Sequence, residues 1–345
     1  MTVAAFNGLA ALLLALTAIA GLCVGSVRLP WAVVVGVLTA KLVPGAASLA
    51  GNVTATDQVI VWLVRLPRIV VGATVGAGLA TAGAVMQGLF RNPLAEPGLL
   101  GVGPGAVLGG VIVFVTGWTA RSAVALPMAA TVSSLLVLAA VYAIAASHGI
   151  TRLTHLLLVG IAAGSLCTAV SSLLISANAV AWQSAQEIVF WTMGGLDART
   201  WVHVWVSAPF VAVGIAVVVW KARDLDLLAL GDERAASLGV DVEASKALLI
   251  VTAALLTGVS VAVAGLLAFV GLVVPNGVRL VVGPRHRTLC PAAALAGAAF
   301  VVSCDLIART AHPPVEIRLG IITGLVGSPM LIAMLARRLR VRGGG

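Results

Sequence analysis

Long apolar runs separated by short polar breaks make up most of the chain. A helix needs about 20 apolar residues to cross a bilayer, and the runs leave room for about ten such helices. The pattern therefore predicts an all-α polytopic membrane protein that forms one integral domain over residues 1–345. The predicted spans are 8–27, 62–84, 98–116, 122–146, 155–177, 201–220, 246–264, 265–281, 291–309 and 319–336.

Two further stretches are apolar in part but do not have the character of spans. Residues 29–58 are punctuated by proline and glycine, which predicts a loop with a surface-lying helix. Residues 181–190 are too short to span and end beside Phe190 and Trp191, so an interfacial helix anchored by aromatic rings is predicted.

Glycines recur at every fourth position in the stretch from Arg65 to Gly110. Membrane helices associate through close backbone approach, which small residues at this spacing permit. We therefore expect tight helix contacts at Gly72, Gly76, Gly101, Gly105 and Gly109.

Composition supports the membrane class, because 61% of the residues are hydrophobic and only 10% are charged. The net charge of +9 could suit a nucleic-acid partner, but the basic residues lie at the ends of apolar runs. That distribution is typical of membrane topology, with positive loops inside. It predicts a cytoplasmic N-terminus, for which the C-terminal sequence RRLRVR is the strongest evidence, and no nucleic-acid partner.

The sequence offers few candidates for catalytic or metal-binding residues. The four cysteines and five histidines show no paired spacing, so we assign no metal site and no catalytic residue. A phosphate-binding loop needs Gly-Lys followed by Ser or Thr, whereas the three lysines, Lys41, Lys221 and Lys246, follow Ala, Trp and Ser. The chain is therefore expected to have no ATPase site of its own and not to be an enzyme.

Several separated motifs carry a family resemblance. The segments RLPR, AGAVMQGLFRNPLAEPGLLGV, FVGLVVPNGVR and PVEIRLGIITGLVGSPM resemble the FecCD-type permeases, in matching order from Arg65 to the C-terminus. These are membrane subunits of ATP-driven importers for iron-siderophores, heme and vitamin B12. The resemblance implies the type II ABC importer permease fold in a bacterial inner or plasma membrane. It also implies a second permease subunit, two ATP-binding subunits that hold ATP and Mg, a substrate-binding protein, and no cofactor on this chain.

The longest hydrophilic stretch, 222–245, resembles the coupling helices that dock onto the ATPase in this family. Two short helices are predicted there, separated by Gly231 and ended by Gly239, with an apolar ridge that needs a surface to lie against. The alternative is an ordinary loop that covers its own bundle. The candidate coupling residues are Leu227, Leu228, Leu230, Gly231, Glu233, Ala235, Leu238 and Gly239.

Arg65, Arg68 and Arg309 are the residues that the resemblance assigns to docking of the binding protein. They are expected to face outside and to hold carboxylates of that partner. Simple snorkelling of Arg65 and Arg68 at the interface is the alternative. Asp305, four residues before Arg309, is placed to pair with it.

Asn92 and Leu94 resemble the cytoplasmic gate of the family, and Thr154 is the second candidate for it. A simple turn capped by Asn92 is the alternative. The chain departs from the family at Asn276, where a histidine is typical, so no titratable group stands at that point.

The acids nearest the bilayer, Glu96, Asp305 and Glu316, lie at span ends, where capping or pairing is favoured over proton relay. A secondary transporter driven by ions, the rival function, would need an acid in mid-span. For the substrate, the family's commonest use places ferric siderophore first, with heme and cobalamin as alternatives.

Overall fold

A computed structural model describes residues 2–25, 27–43, 53–122, 124–146, 153–177, 182–312 and 315–343. Within these ranges the chain is built from helices and contains no strand. The helices are α1 Val3–Cys23, α2 Trp31–Leu42, α3 Ala55–Gln58, α4 Leu66–Leu89, α5 Val102–Val115, α6 Ala125–Ala146, α7 Leu153–Ala177, α8 Trp182–Thr192, α9 Trp201–Trp220, α10 Ala222–Leu228, α11 Asp232–Ser237, α12 Val242–Ala264, α13 Val270–Val282, α14 His286–Thr310 and α15 Leu319–Gly343.

Each predicted span coincides with a helix, and the all-α membrane fold is confirmed. Seven described helices are long and apolar enough to cross a membrane, whereas α5, α13 and the apolar part of α15 are shorter. The predicted lengths of spans 98–116 and 265–281 are therefore wrong. Backbone conformation explains both, because Gly101 before α5 and Gly265 and Phe269 before α13 have positive φ angles, which a helix does not accept.

Three helices form the centre of the bundle. In the most apolar windows of α12 and of the continuous helix that ends with α4, 78% of the residues are buried inside the chain, and 61% in α14. In α1 only 6% are buried, and its leucines Leu9, Leu12, Leu13 and Leu16 are exposed. An outer helix with an apolar exterior is the arrangement that lipid requires.

The glycines of α4 bring neighbouring backbones into contact, as the spacing predicted. A Cβ added at Gly76 would lie 2.1 Å from the carbonyl oxygen of Gly297 in α14. One added at Gly83 would lie 1.8 Å from the carbonyl oxygen of Gly271 in α13. No other residue fits at such distances, so α4 is in direct backbone contact with both helices.

The chain is already helical before α4. Residues Val59–Arg65 form a π-helix that joins α3 to α4, and Pro67 lies in the first turn of α4. A proline inside a helix donates no hydrogen bond and its ring crowds the carbonyl one turn earlier. The wider π-helical turn accommodates this defect, and it places Arg65 and Arg68 at one end of the bundle.

The shorter elements follow the prediction. A helix forms in each of the two stretches, α2 in the first and α8 in the second, and their position at the membrane surface stays a prediction. Residues 44–52 and 178–181 around them lie outside the described part. In the hydrophilic stretch, α10 and α11 are separated by Gly231, with φ 121°, and followed by Gly239, with φ 84°. Both glycines therefore stand where the predicted helices end.

Candidate functional site

Polar side chains gather at the two ends of the bundle. The arginine end is defined by Arg65, Arg68 and Arg309, and the α10 end by α10, α11 and the loop that follows α4. Because α4 and α14 run antiparallel and cross the whole bundle, the start of each helix lies beside the finish of the other.

Arg68 is the centre of the arginine end. Its Nη2 lies 2.8 Å from Asp305 Oδ1 and 2.9 Å from Glu316 Oε2, and its Nε donates to Asp305 as well. Arg68 and Asp305 are buried, whereas the Glu316 side chain is 40% exposed. The guanidinium group therefore holds two carboxylates at once, one inside the bundle and one at its rim.

Arg65 and Arg309 fasten the end of α1. Arg309 donates from Nη2 to the Gly21 carbonyl at 2.7 Å, and its Nε lies 3.8 Å from Asp305. Arg65 donates to the carbonyls of Leu22 and Val27. Both arginines are buried. The expected pair of Asp305 with Arg309 is present, although Asp305 binds Arg68 more closely.

These contacts show how Arg65, Arg68 and Arg309 are held. All three residues are buried and are bonded within the chain, and their expected position on the outer side of the membrane stays a prediction. A buried charge without a partner would be costly, so the fold supplies carbonyls and carboxylates. Docking of a binding protein by these residues stays a prediction, and it would require them to exchange partners.

The sequence did not single out a second pair at this end. Arg318 forms an ion pair with Asp197, and its guanidinium lies 4.5 Å from the centre of the Phe190 ring. Both charged residues stand in short polar breaks between apolar runs. Their position in these breaks is the sequence feature from which the pair could have been suspected.

At the α10 end, the loop after α4 forms a capped turn. Asn92 Oδ1 accepts a hydrogen bond from the Leu94 backbone at 2.9 Å, and the Leu94 side chain is exposed. Asn276 of α13 donates to the Pro93 carbonyl at 2.7 Å. The departure from the family at Asn276 therefore fixes this loop to α13. The gate role of Asn92 and Leu94 stays a prediction.

Thr154 lies in the first turn of α7, and its side chain is outside the described part of the structure. The second candidate gate residue is therefore not brought to Asn92 and Leu94 by any described contact.

The predicted apolar ridge of α10 and α11 is divided between two faces. Leu228 and Ala235 are buried in the bundle, and Leu227 is half-buried against the same core. Leu230 and Leu238 are each 56% exposed, and Glu233 is exposed as well. The residues expected to form one apolar ridge therefore lie on two faces, one of which covers the chain's own bundle. The docking role of the exposed residues stays a prediction.

Charged contacts hold the α10–α11 pair in place. Arg91 donates to the Leu228 carbonyl at 2.9 Å and lies 3.6 Å from Asp232, which also pairs with Lys246. Asp226 accepts hydrogen bonds from the backbone and ring of His286 at 2.9 and 2.6 Å. Burial alone would raise the pKa of Asp226, but these hydrogen bonds outweigh it and lower the pKa.

Comparison with known proteins identifies the family of the chain. Residues 12–337 match the FecCD transport family. The chain belongs to the FecCD transport family. The resemblance carried by the sequence motifs is confirmed, and the chain is a multi-pass membrane permease.

Relatives of this FecCD permease include the cobalamin import system permease protein BtuC of Halobacterium salinarum. The two are 44% identical over 317 residues, which cover 90% of this chain and 80% of that protein. The hemin transport system permease protein HmuU of Yersinia pestis is 38% identical, over 82% of this chain and 85% of that protein.

A solved structure supports the fold of the FecCD permease. An inward-facing conformation of a metal-chelate type ABC transporter matches with a TM-score of 0.82 and 28% sequence identity. The match covers 97% of this chain and 99% of that one.

Proposed function

We propose that this chain is the permease subunit of an ATP-driven importer whose substrate is cobalamin. The observation that carries the substrate assignment is the 44% identity, over 90% of the chain, to a permease named for cobalamin import. The heme permease at 38% identity makes heme the second candidate. The sequence analysis placed ferric siderophore first, whereas the names of these two relatives favour cobalamin and then heme.

Uptake in cells tests the substrate. A host without its own cobalamin permease would express this chain with its ATPase and binding protein and receive radiolabelled cyanocobalamin. We expect accumulation that excess unlabelled cobalamin abolishes and that heme and a ferric siderophore leave unchanged. Accumulation of heme or ferric siderophore without cobalamin would overturn the substrate but not the permease role.

Energy is proposed to come from two ATP-binding subunits, which carry ATP and Mg. The sequence has no Gly-Lys-Ser/Thr phosphate loop. The α10 end would face the cytoplasm, with Leu230, Leu238 and Glu233 as the contact with the ATPase. Their exposure supports this assignment, because large apolar side chains exposed on short polar helices are typical of an interaction surface.

A second permease subunit would complete the pathway, and Asn92, Leu94 and Thr154 would stand at its cytoplasmic gate. The arginine end would face outside and receive the binding protein. Glu316 is the group that we expect a partner carboxylate to replace, since its side chain is 40% exposed while Arg68 below it is buried. Docking would then exchange one carboxylate on Arg68 for another.

Ion coupling, the rival mechanism, is less well supported. Asp305 is buried but already neutralised by Arg68 at 2.8 Å, and Glu316 shares the same arginine. Both carboxylates are used in ion pairs at one end of the bundle, whereas an ion-coupled transporter would need an acid in mid-span.

A further inference from the structure

A cavity of about 530 Å³ opens at the α10 end, and Leu230, assigned above to the ATPase contact, is among the residues that line it. Its walls come from the last turn of α4, the loop that follows, α10, α13 and the start of α14. The residues that give it chemical character are Gln87, Arg91, Asp226, Arg279, Arg285 and His286.

The cavity carries an excess of positive charge. Three of its lining residues are arginines, and Asp226 is the carboxylate among the residues that line it. Asp226 is occupied by two hydrogen bonds from His286, and Arg91 is only partly balanced by Asp232, 3.6 Å away. Guanidinium groups converging on one space produce a potential that attracts anions.

His286 adds a polar atom that lacks a partner. The residue is 4% exposed, and its Nε2 is buried without a hydrogen bond in the described structure. Asp226 accepts a hydrogen bond from Nδ1, so Nε2 is the ring nitrogen that is left for a ligand. Gly88, which also lines the cavity, lies against this edge of the ring: a Cβ there would lie 2.5 Å from Nε2.

We propose that this cavity binds a phosphate-type oxyanion, held by Arg279, Arg285 and His286, with Arg91 at its rim. The anion comes either from a soluble phosphate or from the headgroup of an anionic phospholipid, since both present the same oxygens. Its place between α4, α10 and α14 puts it where it can stabilise the position of α10 against the bundle.

The test uses the full chain purified in detergent free of phospholipid. Inorganic phosphate is titrated calorimetrically in one arm, and phosphatidylglycerol is added and its retention measured by native mass spectrometry in the other. Arg285→Gln and Arg279→Gln each remove one charged donor from the cavity. Arg287→Gln is the matched control, because this exposed arginine lies two residues from Arg285 and does not line the cavity.

We expect one saturable site whose affinity falls about tenfold or more in Arg285→Gln and Arg279→Gln and is unchanged in Arg287→Gln. Such a result with inorganic phosphate identifies a soluble ligand, and the same pattern only with phosphatidylglycerol identifies a lipid headgroup. A thermal unfolding temperature equal to that of the wild type establishes that each variant is folded. Binding that is absent in both arms, or equal in all four proteins, would overturn the proposal.

Discussion

Arg68 holds one buried and one half-exposed carboxylate, and the two contacts should contribute very differently to stability. Removing one member of a buried ion pair leaves the other charge without compensation, which costs about 3–5 kcal/mol. An ion pair at an exposed rim contributes about 0–1 kcal/mol. Asp305 and Glu316 provide both cases on the same guanidinium group.

We therefore expect Asp305→Asn to lower the free energy of unfolding by about 3–5 kcal/mol, since Arg68 and Arg309 both lose a charged partner. Glu316→Gln, the matched control, should lower it by no more than about 1 kcal/mol. Unfolding of the purified variants in mixed micelles with increasing SDS measures both. Equal losses in the two variants would show that Asp305 is not the buried anchor of this end.

Single residues were the hardest part to predict from sequence. The family resemblance grouped Arg65, Arg68 and Arg309, and the sequence spacing paired Asp305 with Arg309. Neither indicated the direction of the side chains, because this depends on carbonyls of α1 that lie far away in the sequence. The same holds for Asp226 and His286, 60 positions apart, which meet only when α10 and α14 pack.

At the scale of elements, α10 and α11 combine an anchored face with an open one. Leu228 and Ala235 are buried in the bundle, while Leu230 and Leu238 remain exposed. The first pair should therefore determine stability and the second should determine contact with a partner subunit.

This division predicts different defects at Leu238 and Leu228. Leu238→Asp should leave the permease folded but abolish transport-coupled ATP hydrolysis, because the new charge would be unpaired in the buried contact. Leu228→Ala should destabilise the chain by about 2–5 kcal/mol through the cavity it creates, while folded molecules remain coupled. The ratio of uptake to ATP hydrolysis, measured in membrane vesicles, distinguishes them. Normal coupling in Leu238→Asp would remove the docking role of this face.

Most elements followed from hydrophobic pattern and glycine position alone. Spacing at Gly76 predicted close packing, and Gly231 and Gly239 predicted the limits of α10 and α11. The pattern overestimated the spans at α5 and α13, since Gly101 before α5, and Gly265 and Phe269 before α13, break the helix without any change in hydrophobicity. A count of apolar residues does not detect positive φ angles of this kind.

For the whole molecule, the α10 end and the arginine end are connected by α4 and α14, which run the length of the bundle in direct backbone contact. One end offers exposed apolar side chains to a partner, and the other holds its charges in internal pairs. This division fits a permease that takes energy from separate subunits at one end and receives substrate at the other.

Reconstituted transport tests the central claim most directly. In one sample, the purified chain, its ATPase and its binding protein would be placed in proteoliposomes with ATP and Mg inside. In a parallel sample, the permease alone would be given a proton or sodium gradient and no nucleotide. We predict uptake of cobalamin only in the sample with ATP, and none when the ATPase subunit is left out. Uptake driven by either gradient with the permease alone would contradict the account.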